Sequence, residues 1–329
     1  MSKNITVIGA GPGGLATAML LAKAGARVTV LERGDRVGGR TRAIEQDGFR
    51  FDTGPTFFLY PRILQEIFAA CGSDLRREVP MVRLDPQYRL HFGGNGGTLD
   101  ATADLARMEA AITALSPRDA GGFRRFLAAN RQKLAAFKPI LERPFLSLAD
   151  VFAPDLLKAL PQLGPLRSVY DDIGRFFSDE RIKLAFTFQA KYLGMSPFRC
   201  PSLFSILSFL EYEYGVWHPI GGCAAVLEGM ARVARALGVD IRLNAEVTGL
   251  EFRGRRPIAA ITADGTRHAN DAVVVNADFA DAMRRLVPDR LRRRWSDRTL
   301  AKAQFSCSTF MLYLGVRGEI GRASCRERV

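Results

Sequence analysis

The chain has 329 residues, 47% of them hydrophobic and 25% charged, with 47 Lys+Arg against 34 Asp+Glu and a formal net charge of +13. That length suggests about two domains, and the composition excludes a disordered chain, a collagen and a disulfide scaffold. No run approaches the roughly 18 apolar residues of a membrane span, the longest candidate being Ser202 to Leu210.

Residues 4–8 read as a short buried strand, followed at once by Gly9-Ala10-Gly11-Pro12-Gly13-Gly14. A helix is expected from Leu15 to about Ala24, closed by Gly25, and then a second strand from Arg27 to Leu31 that ends in Glu32. Strand, glycine turn, helix, strand and acid form a dinucleotide fingerprint in its required order. Gly9 permits the tight turn, Gly11 lets backbone approach a pyrophosphate, and Gly14 lets the helix lie close on the sheet. The helix N-terminus offers free N–H groups to the anion. Glu32, eighteen residues after Gly14, is placed to accept from a ribose diol. A signal peptide is the competing reading, but the start lacks a basic region and a glycine turn interrupts its apolar stretch.

Gly38-Gly39-Arg40 and Phe51-Asp52-Thr53-Gly54-Pro55-Thr56 follow. A nicotinamide domain has no need of this second glycine pair, whereas a flavin domain must pass the chain under the pyrophosphate and along the ring. Arg33 joins the candidate set beside Glu32, Arg40 supplies a cation to the pyrophosphate, and Gly54 and Pro55 bring backbone against the ring. The whole string, GxGxxG, Glu32, GGR and then GFxFDxGPT, resembles the bacterial phytoene desaturase (carotenoid desaturase) family. That family lies within the wider group of flavin amine oxidases. The resemblance implies an α/β fold: a Rossmann-like FAD-binding domain of the amine-oxidase type, interleaved with a helix-rich α+β substrate domain. It divides the chain into a first FAD-binding part (1–74), a substrate or membrane-facing domain (75–215), a second FAD-binding part (216–296) and the start of a return to the substrate domain (297–318).

From Val79 to Leu99 the pattern alternates and turns at Gly93 to Gly97, which reads as a hairpin. Asp104 can cap a helix through Ile112, and Ser116-Pro117 starts another. Twelve of the 22 Phe fall between Phe123 and Phe209. They read either as a helical core or as an apolar tunnel for a long isoprenoid or carotenoid substrate, with Phe204 to Phe209 dipping into the membrane. Gly215 to Gly222 looks like the family's G-x-W-x-P-x-GG crossing back to the flavin domain. His218 is then a candidate base or a loop anchor, and Glu211, Glu213 and Asp171 are weaker candidate bases.

Residues 238–243 and 245–247 are expected to form a strand pair, whose backbone near Val247, the resemblance implies, meets the adenine. A hairpin from Gly249 to His268 follows, and then a strand from Ala272 to Val275 running into Asn276-Ala277-Asp278. The carboxyl end of a parallel strand faces the ligand crevice, so Asn276 joins the site, while Asp278 either joins it or caps the next helix. Arg284 to Lys302 is a strongly basic, largely helical stretch with Trp295 as its one aromatic. It reads as a solvated face or a patch toward anionic lipid, and not as a nucleic-acid module. The five Cys (Cys71, Cys200, Cys223, Cys307, Cys325) lack CxxC spacing, and His91, His218 and His268 lie far apart. Neither a disulfide framework nor a metal site is expected, and a reducing cytoplasm with peripheral membrane association fits.

The resemblance runs through Phe305 to Gly315 and stops. Residues 319–329 read as the translation of a sequencing adapter, a non-native tail. The family's remaining substrate strands and C-terminal glycine-rich flavin motif are then missing. The expectation is a longer natural product, and a 329-residue chain that holds FAD poorly and turns over nothing. The expected reaction is hydride transfer from a linear polyene to FAD, with quinone or oxygen as the final electron acceptor. Rival readings are a carotenoid oxygenase, a retinol saturase-like enzyme, an amine oxidase, or a non-catalytic isoprenoid-binding protein.

Overall fold

The computed structural model describes residues 2–316, apart from 142, 143, 148, 149, 151, 155, 157, 158, 160–163, 165 and 306–308. The expectations on Cys307, on Cys325 and on the tail 319–329 lie outside the described residues.

The chain opens with β1 (Asn4–Ile8), α1 (Pro12–Lys23) and β2 (Arg27–Leu31). β1 and β2 run parallel, Val7 opposite Val30 and Ile8 opposite Leu31, so a crossover is required and α1 supplies it. The helix begins three residues before the expected Leu15 because Pro12, with its fixed φ and no N–H, is suited to the first helical position. A hairpin of β3 (Ala43–Gln46) and β4 (Phe49–Asp52) follows, then β5 (Phe58–Leu59), α2 (Arg62–Ala70), α3 (Leu75–Glu78) and β6 (Met81–Arg83). The expected hairpin at Gly93 to Gly97 is β7 (Tyr88–His91) with β8 (Thr98–Ala101), whereas β6 belongs to another sheet.

Helices α4 (Leu105–Leu115), α5 (Gly122–Leu141), α6 (Val169–Ile173), α7 (Glu180–Ala185) and α8 (Ser205–Tyr214) come next among the described residues. Asp104 caps α4 by accepting from the Arg107 N–H at 2.8 Å. Ser116-Pro117 starts only a 3-10 turn before α5. β9 (Val216–Pro219) then pairs antiparallel with both β5 and β6. The chain returns through α9 (Ala224–Ala236), β10 (Asp240–Arg242), the meander β11 (Val247–Arg253), β12 (Arg256–Thr262) and β13 (Arg267–Ala269), and β14 (Ala272–Val275). It continues through α10 (Phe279–Leu286) and α11 (Asp297–Ala301).

The nucleotide sheet is parallel in the order β10-β2-β1-β14. Alternation sends Val7 and Val30 to one face, where Leu15, Met19, Phe68, Leu227 and Met230 pack on them. Ile8 and Leu31 go to the other, against Val247, Ala260, Ala282 and Leu286. Residues 238–243 and 245–247 do not pair with each other: β10 extends the parallel sheet beside β2, and Val247 opens an antiparallel meander. A one-residue gap of polarity cannot tell a hairpin from a change of sheet.

A second core joins β7, β8 and helices α4 to α8. Phe123, Phe126, Phe176, Phe177, Phe186 and Phe209 are buried in it, several of them ring to ring, as in the Phe126–Phe186 contact at 5.0 Å. These six rings fill a core. Phe209, Ile206, Ser205 and Ser208 are buried as well, so the stretch expected to dip into a membrane is inside the protein. Among the described residues no helix is long and apolar enough to cross a membrane. The basic stretch is less helical than expected: α10 ends at Leu286, a 3-10 turn spans Asp289–Leu291, and α11 starts only at Asp297. Pro288 and the Ser296 cap account for the break.

Candidate functional site

The carboxyl ends of β1, β2 and β14 surround a pocket of about 1170 Å³. This exceeds the ~300–1,000 Å³ of ordinary small-molecule sites, and its position is the one at which open α/β sheets hold nucleotides. Gly9, Gly11, Glu32, Arg33, Gly39 and Arg40 all line it, and so do Gly54, Val247 and Asn276. Gly14, Gly38 and Pro55 do not. Gly14 lies behind the turn, where an added Cβ would overlap the Gly9 carbonyl oxygen. Gly9 itself has a φ of +97°, and a Cβ there would overlap the Asn276 carbonyl oxygen. Gly38 is the buried corner that starts the 3-10 turn Gly39–Thr41, and Pro55 is exposed.

Gly11 is the N-cap of α1, with no side chain bonded to the first turn and no acid in it. The first N–H groups of the helix, with its positive dipole end, therefore face the pocket bare. A Cβ at Gly13 would come 2.7 Å from Asn276 Oδ1 and one at Gly11 3.2 Å from Nδ2, so the cradle depends on glycine. These features fit a dinucleotide pyrophosphate.

Glu32 is buried and already engaged: Oε2 accepts from the Ala10 N–H at 2.7 Å and Oε1 from the Gly34 N–H at 2.8 Å. A carboxylate has about four acceptor sites, so two remain for hydroxyls. Its one side chain thus ties the glycine turn to the loop after β2. Sequence reading gave Glu32 only the ribose.

Several lining residues escaped sequence reading. Arg36 and Arg42 reach the pocket from the loop around Gly38-Gly39-Arg40, Thr53 from the end of β4, and Thr309 from far along the chain. Glu246 and Arg285 line it as a short ion pair between the start of β11 and α10. Only their approach in space marks them. Asp278 does both things expected of it: it lines the pocket, and it accepts from the Asp281 N–H at 3.3 Å as the cap of α10. Asp52 had a signal, its place in the Phe51-Asp52 motif, but no role. Its carboxylate accepts from the Cys223 and Ala224 N–H groups at 2.8 and 3.2 Å, capping α9 and tying β4 to it.

The candidate bases do not converge. His218 lies in β9 with Nδ1 at 2.8 Å from the Thr56 carbonyl oxygen, the anchoring contact of the alternative reading. Glu213 receives Arg131 in a two-pronged pair at 2.7 and 2.8 Å. Asp171 sits in the first turn of α6, where it accepts from the Ser168 hydroxyl at 2.7 Å. Glu211 is fully buried. Tyr88 and Gln189 each donate to its Oε2 at 2.8 Å, and Tyr192 donates to Oε1 at 3.2 Å. Burial pushes its carboxyl above the ordinary range, and the donors from Gln189, Tyr88 and Tyr192 pull part of the way back.

The flavin containing amine oxidoreductase family matches residues 12–310. The chain is 38% identical over 315 residues to a 4,4'-diapophytoene desaturase (4,4'-diapolycopene-forming) from Methylomonas sp, covering 96% of this chain and 61% of that protein. It is 37% identical over 321 residues to a lycopene-forming phytoene desaturase from Pantoea ananas, covering 95% and 63%. It therefore spans a little over three fifths of the length of these relatives. Among solved structures, an oxidoreductase from Methanosarcina mazei shares the fold with a TM-score of 0.62 at 22% identity, over 91% of this chain and 64% of that one. The cofactor is FAD, which the bare glycine cradle and uncapped helix fit. The chain belongs to the flavin-containing amine oxidoreductases, and within them it is similar to the carotenoid desaturases.

Proposed function

We propose that the protein is an FAD-dependent desaturase introducing double bonds into a linear polyene of the phytoene or diapophytoene type. The observation that carries this is the uncapped N-terminus of α1 opening on the 1170 Å³ pocket, in a chain 38% identical to a diapophytoene desaturase. FAD, when bound, supplies the hydride acceptor for carbon–hydrogen cleavage. The residues do the rest. The Gly9–Gly14 turn, the first N–H groups of α1 and Arg40 hold the pyrophosphate, with Gly38 and Gly39 shaping the approach. Glu32 takes the ribose hydroxyls beside Arg33, Val247 faces the adenine, and Asn276 seals the turn. Gly54 and Pro55 carry the chain along the ring. The two buried cores support a division into FAD-binding and substrate domains, with Leu75 and Val79 still packed in the first.

Positioning and dryness are what such a reaction asks of the protein, so a scattered set of bases is compatible with it. Exposed Phe145, Leu146, Phe152 and Leu166 support contact with a membrane surface, from which a long isoprenoid could enter. Quinone or oxygen would then reoxidise the cofactor. The test is expression of the gene carrying this reading frame in a host that makes phytoene or its shorter homologue. New conjugated pigment is the expected outcome. A flavin-loaded product that leaves the polyene unchanged and oxidises an amine would overturn the reading.

A further inference from the structure

Glu211 occupies an unusual place for a carboxylate. α8 carries it into the second core, and among the described residues no Lys, Arg or His lies within ion-pair distance of it. Two cations of neighbouring α5 are engaged elsewhere: Arg131 with Glu213, and Lys133 with Asp172 at 2.6 Å. Lys191 stacks on the Phe188 and Tyr192 rings at 5.0 and 6.0 Å and acts on Glu211 only through space. Tyr88, Tyr192 and Gln189 supply its hydrogen bonds, with the Tyr212 hydroxyl 3.3 Å from that of Tyr88. Two amide oxygens in the same cluster, Gln87 Oε1 and Gln189 Oε1, are buried without a donor. Orphaned acceptors beside a carboxyl are what one further proton would relieve.

One of the three phenols leads outward. Tyr212 lies within the core and half-buried Tyr88 packs against it, but Tyr192 is 40% exposed. Its ring stands edge-on to Phe57 at 5.9 Å, three residues along the chain from the pocket wall at Gly54. The Tyr192 side chain bridges the two: its hydroxyl donates to Glu211 Oε1 at 3.2 Å while its ring packs on Phe57.

We propose that Tyr192 and Glu211 form a proton relay for the desaturation, an inference that rests on the function proposed above. A hydride leaves one carbon of the polyene for the cofactor. The C–H bond on the adjacent carbon then breaks, and its electron pair becomes the new C=C bond. The proton released goes to the Tyr192 oxygen as the phenolic proton passes to the Glu211 carboxylate, so Tyr192 ends neutral and Glu211 protonated. Once the product has left, Glu211 passes its proton back to the Tyr192 oxygen, which releases one to solvent at its exposed side, so the carboxylate is restored. Tyr192 is the catalytic residue, and Glu211 is a positioning residue that acts through it.

The test compares flavin-loaded wild type, Glu211→Gln, Tyr192→Phe and, as a control inside the core, Tyr88→Phe. Flavin content should stay constant. Polyene turnover should fall about 100-fold or more in Glu211→Gln and Tyr192→Phe, the usual scale of lost acid–base assistance, and only a few-fold in Tyr88→Phe. The acid limb of the pH–rate profile should vanish in Glu211→Gln. A second readout needs no turnover. Because the native carboxyl is raised, native protein holds a proton that unfolded protein has lost, and wild-type stability should fall as pH rises above the ordinary carboxylate range. Glu211→Gln should flatten that slope. Wild-type rates and pH profile in both relay variants would overturn the relay while leaving the desaturase reading intact. A wild type that loads flavin but never desaturates would overturn the desaturase reading, and the relay with it. If Glu211→Gln fails to fold, Tyr192→Phe at its half-exposed position decides.

Discussion

Removing the Glu32 carboxylate should weaken the protein before any cofactor is added. Its oxygens hold the Ala10 N–H at 2.7 Å and the Gly34 N–H at 2.8 Å. Ala10 is fully buried, so in Glu32→Ala its N–H loses a charged acceptor inside the protein. A buried donor left unsatisfied costs about 1–3 kcal/mol, and a bond to a charged group contributes about 1.5–3 kcal/mol. Gly34 is half-exposed, and water can take over most of its share. The expected loss is about 2–4 kcal/mol. At ~2–4 °C per kcal/mol, the melting temperature should drop by roughly 4–16 °C. Glu32→Gln keeps one acceptor oxygen and should lose about half as much. The assay is thermal and urea unfolding of flavin-free protein, followed by circular dichroism. A flavin-free Glu32→Ala melting with wild type, while losing affinity for FAD, would show that the carboxylate serves the ribose alone.

Gly14→Ala should abolish FAD retention at modest cost elsewhere, because the new Cβ meets backbone (the Gly9 carbonyl) and the turn must open; flavin content after gel filtration measures this. Lys133→Met should destabilise by about 3–5 kcal/mol in denaturant unfolding. It leaves the Asp172 carboxylate, 3% exposed, with Arg175 at 3.0 Å as its remaining cation. An unchanged midpoint would mean that Asp172 is held by its other partners. Cys223, whose thiol is pushed up to about 12 by burial and by the Asp52 charge, should resist alkylation at pH 8 in native protein and react once unfolded. Asp52→Ala should speed that labelling, since it also removes the acceptor of the Cys223 N–H.

The sequence by itself determined the local frame of the flavin site. Strand β1, the Gly9–Gly14 turn, α1 and the Gly39-Arg40 turn are each set by a few adjacent residues whose limits are local: fixed φ at Pro12, positive φ at Gly9, and short apolar runs in β1 and β2. Such limits survive without knowledge of the rest of the chain, which is why this part was legible. What the tertiary structure decided is everything that depends on residues meeting from a distance. Glu32 became a tie for two loops as well as a ribose acceptor because Ala10 and Gly34 were brought beside it. Arg285 and Thr309 entered the pocket wall with no local signature. The phenylalanines between Phe123 and Phe209 had composition enough for either a tunnel or a core, and only their ring-to-ring packing showed that six of them fill a core. Glu211 and Glu213 are two residues apart on one helix. One is buried among phenols and the other bound to Arg131 at the surface, because two residues on a helix turn a side chain by about 200° and the neighbours on each side differ.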